Sequence, residues 1–361
     1  MKKYSILLVI LITNSFFGYS QLSLELDLSN AQKTIEVLKN KTFSESQTIT
    51  LAQLGSSKAL LKKLNTKDST MIETIKKVQS GSGSLNTIEQ KFQYNAIIKD
   101  LDRLSGFIKE LQSNLGIIET KLKKSLQIFI PSNKHITIKI IGIVGGNSTG
   151  YTFGDGNTFH ISLHHMNNDL DYFFMICKHE LFHNLQAIWS QDEKIRNTLE
   201  KTKDSSPDYW TYFLFNALYL EGSATYLDDL KTIKETKANK SWLDRYKDNE
   251  KREKFIFWMF DRLMVDFQKS HSQKNVNNFY NTFFTTNIDE IGYYLGSAIT
   301  TYILKNKPKT DLITYMKASP LLLVSDYINL SKNDDTAPYQ FSEEFEKIVS
   351  QLSVKVNNMS N

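Results

Sequence analysis

The sequence predicts a predominantly helical α+β protein. Apolar residues recur at three-to-four spacing along most of the chain, and one stretch after Pro131 switches to strict alternation. Strands and helices also fail to interleave in the βαβ manner. At 361 residues the chain exceeds what one small core organises, so two packed units are expected. They are a helical N-terminal domain over 21–130 and a second domain over 131–361 that carries the sheet. Apolar residues make up 40%, charged residues 23% and aromatics 12%, with 5 prolines, a composition that argues against long unstructured stretches.

Residues 1–20 read as a signal peptide. Lys2 and Lys3 precede the apolar run 6–12, and small residues flank a cleavage position before Gln21. The expectation is export, to the periplasm or outside the cell. Loss of the two lysines takes the formal charge from +5 to +3, too weak and too dispersed to suggest nucleic-acid or membrane-surface binding. No segment reaches the about 20 apolar residues that a transmembrane anchor needs. Cys177 is the 1 cysteine, so no internal disulfide forms and no cysteine stands ready for lipidation after residue 20. Its apolar surroundings suit a buried small side chain.

From residue 22 to about 130 the pattern is helical. Leu28, Ala31, Ile35 and Leu38 share one face of a helix that begins near Ser29. Ser80, Gly81, Ser82, Gly83 and Ser84 mark a break. Beyond it Leu101, Leu104, Ile108, Leu111, Ile118 and Leu122 predict a long amphipathic helix or helix pair, within a unit that reads as scaffold. After Pro131 two strands are predicted, from the alternation of Ile136, Ile138 and Ile140 and that of Phe159, Ile161 and Leu163. Gly145, Gly146, Gly150, Gly154 and Gly156 lie between them as a broad connection, without the strand-to-helix context of a phosphate loop. Helices resume at Asn168, including 242–267, 288–304 and 341–354, with Pro308 and Pro320 as stops.

The chemistry concentrates in one apolar helix, where His179, Glu180, Leu181, Phe182 and His183 spell HExxH. Residues four apart on a helix stack on one face, so both imidazoles reach one metal ion and Glu180 stands beside them as general base. Two histidines and a glutamate in so apolar a helix are costly without a partner, and one zinc ion satisfies them together. A catalytic zinc takes a third protein ligand and keeps one position for water. Glu221, 38 residues after His183, is the candidate, with Asp228 or Asp229 as weaker competitors. Gly222 and Ala224 are small enough to let its helix approach the HExxH helix closely.

His179, Glu180 and His183 followed by Glu221, Gly222 and Ala224 resemble the gluzincin metallopeptidases, in which a glutamate on a second helix completes the site. Asn184, Leu185 and Gln186, with the block around Glu221, are similar to bacterial collagenase-like and related peptidases. Taken from 26 to about 330, the chain looks most like a zinc-dependent peptidase family of exported bacterial proteins whose function is itself inferred. The metzincin pattern does not fit, since Gln186 and Trp189 stand where its glycine and third histidine belong. The resemblance implies a gluzincin-like catalytic domain with a small sheet and an active-site helix. It also implies that Tyr293 or Tyr294, in the block Gly292 to Ala298, donates to the oxyanion, or else that both tyrosines only pack. An edge strand above the metal is expected to hold the substrate, with 158–165 as the candidate. His160, His164 and His165 are expected at partly exposed strand positions and not as a second metal site.

The expected activity is therefore that of an exported zinc metallopeptidase. His179, His183 and Glu221 hold one zinc, and Glu180 activates the water that attacks a peptide or protein substrate. The alternative is a secreted zinc-binding scaffold of the same fold that cleaves nothing.

Overall fold

A computed structural model describes residues 21–40, 42–81, 83–131, 134–153, 157–190 and 193–360. The expected signal peptide lies outside these residues, as do Ser82, Gly154 and Gly156. The fold is α+β and predominantly helical, as expected, with one four-stranded sheet.

The sheet contains β1 (Gln21–Asp27), β2 (His135–Ile143), β3 (Gly150–Tyr151) and β4 (Thr158–Ser162), in the order β1-β2-β4-β3. The segment 21–27 is a strand, which corrects the helical reading of that stretch. Its alternation of Leu22, Leu24 and Leu26 puts leucines on one face, and the strand lies parallel to β2 with Leu22 opposite Ile136 and Asp27 opposite Ile141. Parallel neighbours require a crossover, and here the crossover is the whole helical stretch from Ser29 to Phe129. It begins with the expected helix Ser29–Lys39 and ends with the 26-residue helix Leu101–Leu126, which buries Leu104, Ile108, Leu111 and Leu122. The break near residue 80 appears as Gly81, which ends a helix at a left-handed φ of 64°. β4 runs parallel to β2, and β3 pairs antiparallel with β4.

Asp27 closes β1 by accepting from the Ser29 amide (2.9 Å) and pairing with Lys139 of β2 (2.7 Å). Burial pushes its carboxyl up, but the bonds from Lys139 and Ser29 more than offset this and bring it down to about 2. A carboxyl held below its unfolded value of about 3.9 adds stability above that pH and loses it as pH falls through the folded value. Asp27→Asn is therefore expected to cost up to about 1 kcal/mol at pH 6. The gap to the native protein should close between about pH 4 and pH 2; urea midpoints across that range measure it.

Among the described residues, two hydrophobic clusters form the interior. The first joins the sheet, the crossover helices and the HExxH helix (Leu170–Trp189). The second is built from the helices between Ile195 and Val356. The division expected at 130/131 runs through the first cluster. The Glu221 helix (Asp208–Asp228) belongs to both, since Ala224 packs in the first and Leu214, Phe215 and Leu218 in the second. That double membership places Glu221 at the seam.

The C-terminal helices depart from expectation in two places. The stretch 242–267 is two helices, Lys240–Lys251 and Glu253–Lys269, broken at Arg252, whose guanidinium is tied to Asn249 and Asp289. The helix expected from 288 starts at Ile291, because Asp289 and Glu290 adopt left-handed φ values of 59° and 53°. Pro308 does follow a helix end at Asn306, while Pro320 occupies the cap before Leu321–Ser331.

Candidate metal centre

The HExxH helix opens on Asp169, whose side chain accepts from the Tyr172 amide at 2.8 Å. Its other end is tied down by Trp189, which donates to the Phe129 carbonyl at 2.7 Å. His179 and His183 project from one face with ring centroids 4.8 Å apart. Facing them, Glu221 Oε2 lies 3.6 Å from His179 Nε2 and 3.3 Å from His183 Nε2. The ligand atoms of these three residues all fall within 4.8 Å of one another, so the group could hold a metal ion.

The outer hydrogen bonds decide which nitrogens face that point. His179 Nδ1 is 2.8 Å from Asp228 Oδ2, and a carboxylate accepts, so Nδ1 carries the proton. His183 Nδ1 is 2.8 Å from Gln186 Oε1. The Gln186 amide is fixed in turn, because its Nε2 donates to the Leu220 carbonyl (3.3 Å) and to Ser223 Oγ (2.8 Å). A carbonyl can only accept, so Oε1 must face His183 and Nδ1 again carries the proton. Both Nε2 atoms then face a shared carboxylate oxygen, where each can give its lone pair to a cation in place of a proton. A divalent cation satisfies that set, and metal-binding histidines commonly donate their other N–H in this way.

The electrostatics agree. Burial lowers both histidines, yet Asp228 and Glu221 pull His179 well above its ordinary value, and Glu221 raises His183. Burial raises Glu221, but the two imidazoles hold it well below the usual carboxylate range. All three thus favour added positive charge at their meeting point. Glu180 differs, since burial raises its carboxyl and the histidines only partly offset this.

A cleft of about 610 Å³ opens over the site, lined by both histidines, Glu180, Glu221, Gly150 and Tyr293. Gly150 of β3 roofs Glu180: a Cβ there would stand 2.6 Å from Glu180 Oε1. Tyr293 lies nearly parallel to His179 at 6.3 Å. Tyr294, the other tyrosine of the pair, is turned away and donates to Glu253 at 2.6 Å, because neighbours on a helix point about 100° apart. Asp228 holds the far nitrogen of His179 and does not join the ligand group, and Asp229 forms the left-handed end of the helix.

Three further expectations are corrected by packing. Gly222 does not face the HExxH helix; it meets Gly296 of the helix Ile291–Asn306, while Ser223 and Ala224 turn toward the histidines' side. The stretch 158–165 is not an edge, since β4 lies between β2 and β3 and residues Leu163–His165 form a 3-10 turn. The edge beside the cleft is β3. His160 is buried and stacks on Tyr151 at 4.8 Å, while His164 and His165 bond the Gly145 amide and Gly146 carbonyl. Among the described residues these three form no metal-capable group.

Sequence reasoning gave no place in the site to Gln186, Tyr280 or Arg245. Gln186 had a signal, its position three residues after His183. Tyr280, whose hydroxyl burial and Glu221 raise to about 12, and Arg245 reach the cleft from helices with no motif of their own.

No curated protein and no solved structure matches the chain. A family model described as "Putative zinc dependent peptidase (DUF5700)" matches residues 39–336, which include the HExxH helix, Glu221, Asp228 and Tyr293, and the chain belongs to that family.

Proposed function

We propose that the protein is an exported zinc metallopeptidase of the gluzincin type, acting on peptides or proteins in the periplasm or outside the cell. The observation that carries this reading is the convergence of two imidazole Nε2 atoms and one carboxylate oxygen on a single point beside Glu180, with both Nδ1 atoms engaged elsewhere. His179, His183 and Glu221 would hold one zinc ion. When bound, zinc supplies a Lewis acid that polarises the peptide carbonyl and makes water acidic enough to attack near neutral pH.

The chain's own residues do the rest. Glu180, kept at a raised pKa by burial, takes a proton from the attacking water on its carboxylate and passes it to the leaving amine nitrogen. Tyr293 offers its hydroxyl to the carbonyl oxygen as that oxygen gains charge. The free edge of β3 accepts the substrate backbone as an added strand. Export rests on Lys2, Lys3 and the apolar run after them, and no helix among the described residues is long and apolar enough to cross a membrane.

The test is metal analysis of the chain from Gln21, followed by a broad peptide library. About one zinc per chain is expected, with hydrolysis lost on chelation and restored by zinc. Zinc below about one tenth per chain would remove the metal from the account. Full occupancy with no turnover would leave the scaffold reading. Asp228→Asn probes the outer bond: zinc affinity should fall about 10- to 100-fold as His179 loses its fixed orientation. Competition with a chromophoric chelator measures it, and unchanged affinity would mean that the Asp228 contact does not matter.

A further inference from the structure

One charge pair in the cleft has no part in holding a metal. Arg245, on the helix Lys240–Lys251, lines the same cleft as the histidines together with its partner Glu290. Its Nη2 donates to Glu290 Oε2 at 3.0 Å and its Nη1 to Ser241 Oγ at 3.0 Å. A guanidinium has five N–H donors in a planar fork that matches a carboxylate. Two bonds leave it unsaturated, and its Nε is buried without a partner.

A purely structural role is already filled by a neighbour. The left-handed pair Asp289 and Glu290 needs holding, and Arg252 (2.6 Å) and Asn249 (2.9 Å) hold Asp289 from outside the cleft. Arg245 is the member of this face that looks into it. The position along the groove is also defined. Glu290 accepts from the Tyr293 amide at 3.0 Å, and the Tyr293 ring lies 6.3 Å from that of His179, so the pair stands about one helical turn beyond Tyr293 from the candidate metal group.

Resting on the peptidase reading, we infer that Arg245 determines specificity by receiving a carboxylate of the substrate bound in the same cleft. The carboxylate is an Asp or Glu side chain within a longer peptide, or the C-terminal carboxylate of a short one. Glu290 aligns the guanidinium and competes with the incoming group, which keeps neutral peptides from gaining by the same contact.

The experiment measures kcat/KM of the zinc-loaded protein on matched peptides, with Glu or Gln walked through each position and the C-terminus free or amidated. A preference of about 10- to 100-fold for the acidic member at one position is expected, falling to within about twofold in Arg245→Met. A preference that follows the walked Glu identifies the side chain; one that follows only the free terminus identifies the α-carboxylate. Equal treatment of acidic and neutral peptides by the native protein overturns the inference, as does a preference that survives in Arg245→Met. The same peptides are titrated calorimetrically into zinc-loaded Glu180→Gln protein. Carboxylate selectivity is then read without turnover, and failure of the peptidase reading stays distinguishable from failure of this one. Should Arg245→Met not fold, Glu290→Gln takes its place. Removing the competitor is expected to tighten binding of the acidic peptide severalfold, and unchanged or weaker binding overturns the inference.

Discussion

Glu180→Gln protein is expected to keep its zinc and lose its turnover, with kcat falling about 10²- to 10⁴-fold. The two effects separate because Glu180 stands next to the ligand group without belonging to it: the three converging side chains are His179, His183 and Glu221. Glutamine preserves the shape of a buried side chain that Gly150 contacts, so the helix and the roof over it should not move. What disappears is a carboxylate that accepts and returns a proton. Its position in the carboxyl range matters, since burial raises it toward the pH at which both halves of that exchange are efficient. KM should change little, because no substrate contact is removed. Stopped assays on the best library peptide, paired with metal analysis of the same preparation, give both numbers. Equal hydrolysis by the variant would take Glu180 out of its role, and loss of zinc along with activity would show that it contributes to the metal's hold.

What could be read from the sequence divides by how local the determining physics is. HExxH needs only the four-residue spacing of one helix, so the shared face of His179 and His183 was legible with no tertiary information. Glu221 lies 38 residues further on, and no periodicity connects it to His183; its neighbours and the family resemblance pointed to it. Rotational phase was beyond reach. Whether Gly222 or Ser223 faces the histidines, and whether Tyr293 or Tyr294 enters the cleft, depends on which neighbouring helix each one meets. β1 went unseen because three alternating leucines are too short a signal beside the long helical pattern that follows, and the strand exists through pairing with β2, more than a hundred residues away. The same non-locality hid the edge: β3 is two residues long and is recognisable only by its ladder to β4. Arg245 and Tyr280 sit on amphipathic helices whose own patterns say nothing about a shared cleft.

Gly222→Ala is expected to damage both the fold and the metal site, although it adds a single methyl group to a helix. Glycine inside a helix normally gains about 0.5–1 kcal/mol on replacement by alanine. That sign should hold at Gly116, which is exposed in the helix Leu101–Leu126 with nothing within 4 Å of an added Cβ. At Gly222 the added Cβ would lie 2.3 Å from Gly296 Cα and 2.4 Å from its carbonyl carbon, and both are backbone atoms that no rotamer change can move. Carbon atoms rest about 3.5–4.0 Å apart, so the two helices must separate by more than about 1 Å. Overpacking of this kind costs about 1–3 kcal/mol, which exceeds the helix-propensity gain. The displacement also has a chemical consequence. Glu221 is the next residue, on the helix that must shift, and zinc–carboxylate bonds tolerate little departure from about 2.0–2.2 Å. Zinc affinity should therefore fall at least about tenfold, as it does when the residues that orient metal ligands are disturbed. Thermal melts of apo Gly222→Ala and Gly116→Ala isolate the packing effect, and chelator competition isolates the effect on the site. If Gly222→Ala melts like the native protein and binds zinc as tightly, the contact with Gly296 is not what sets the position of Glu221.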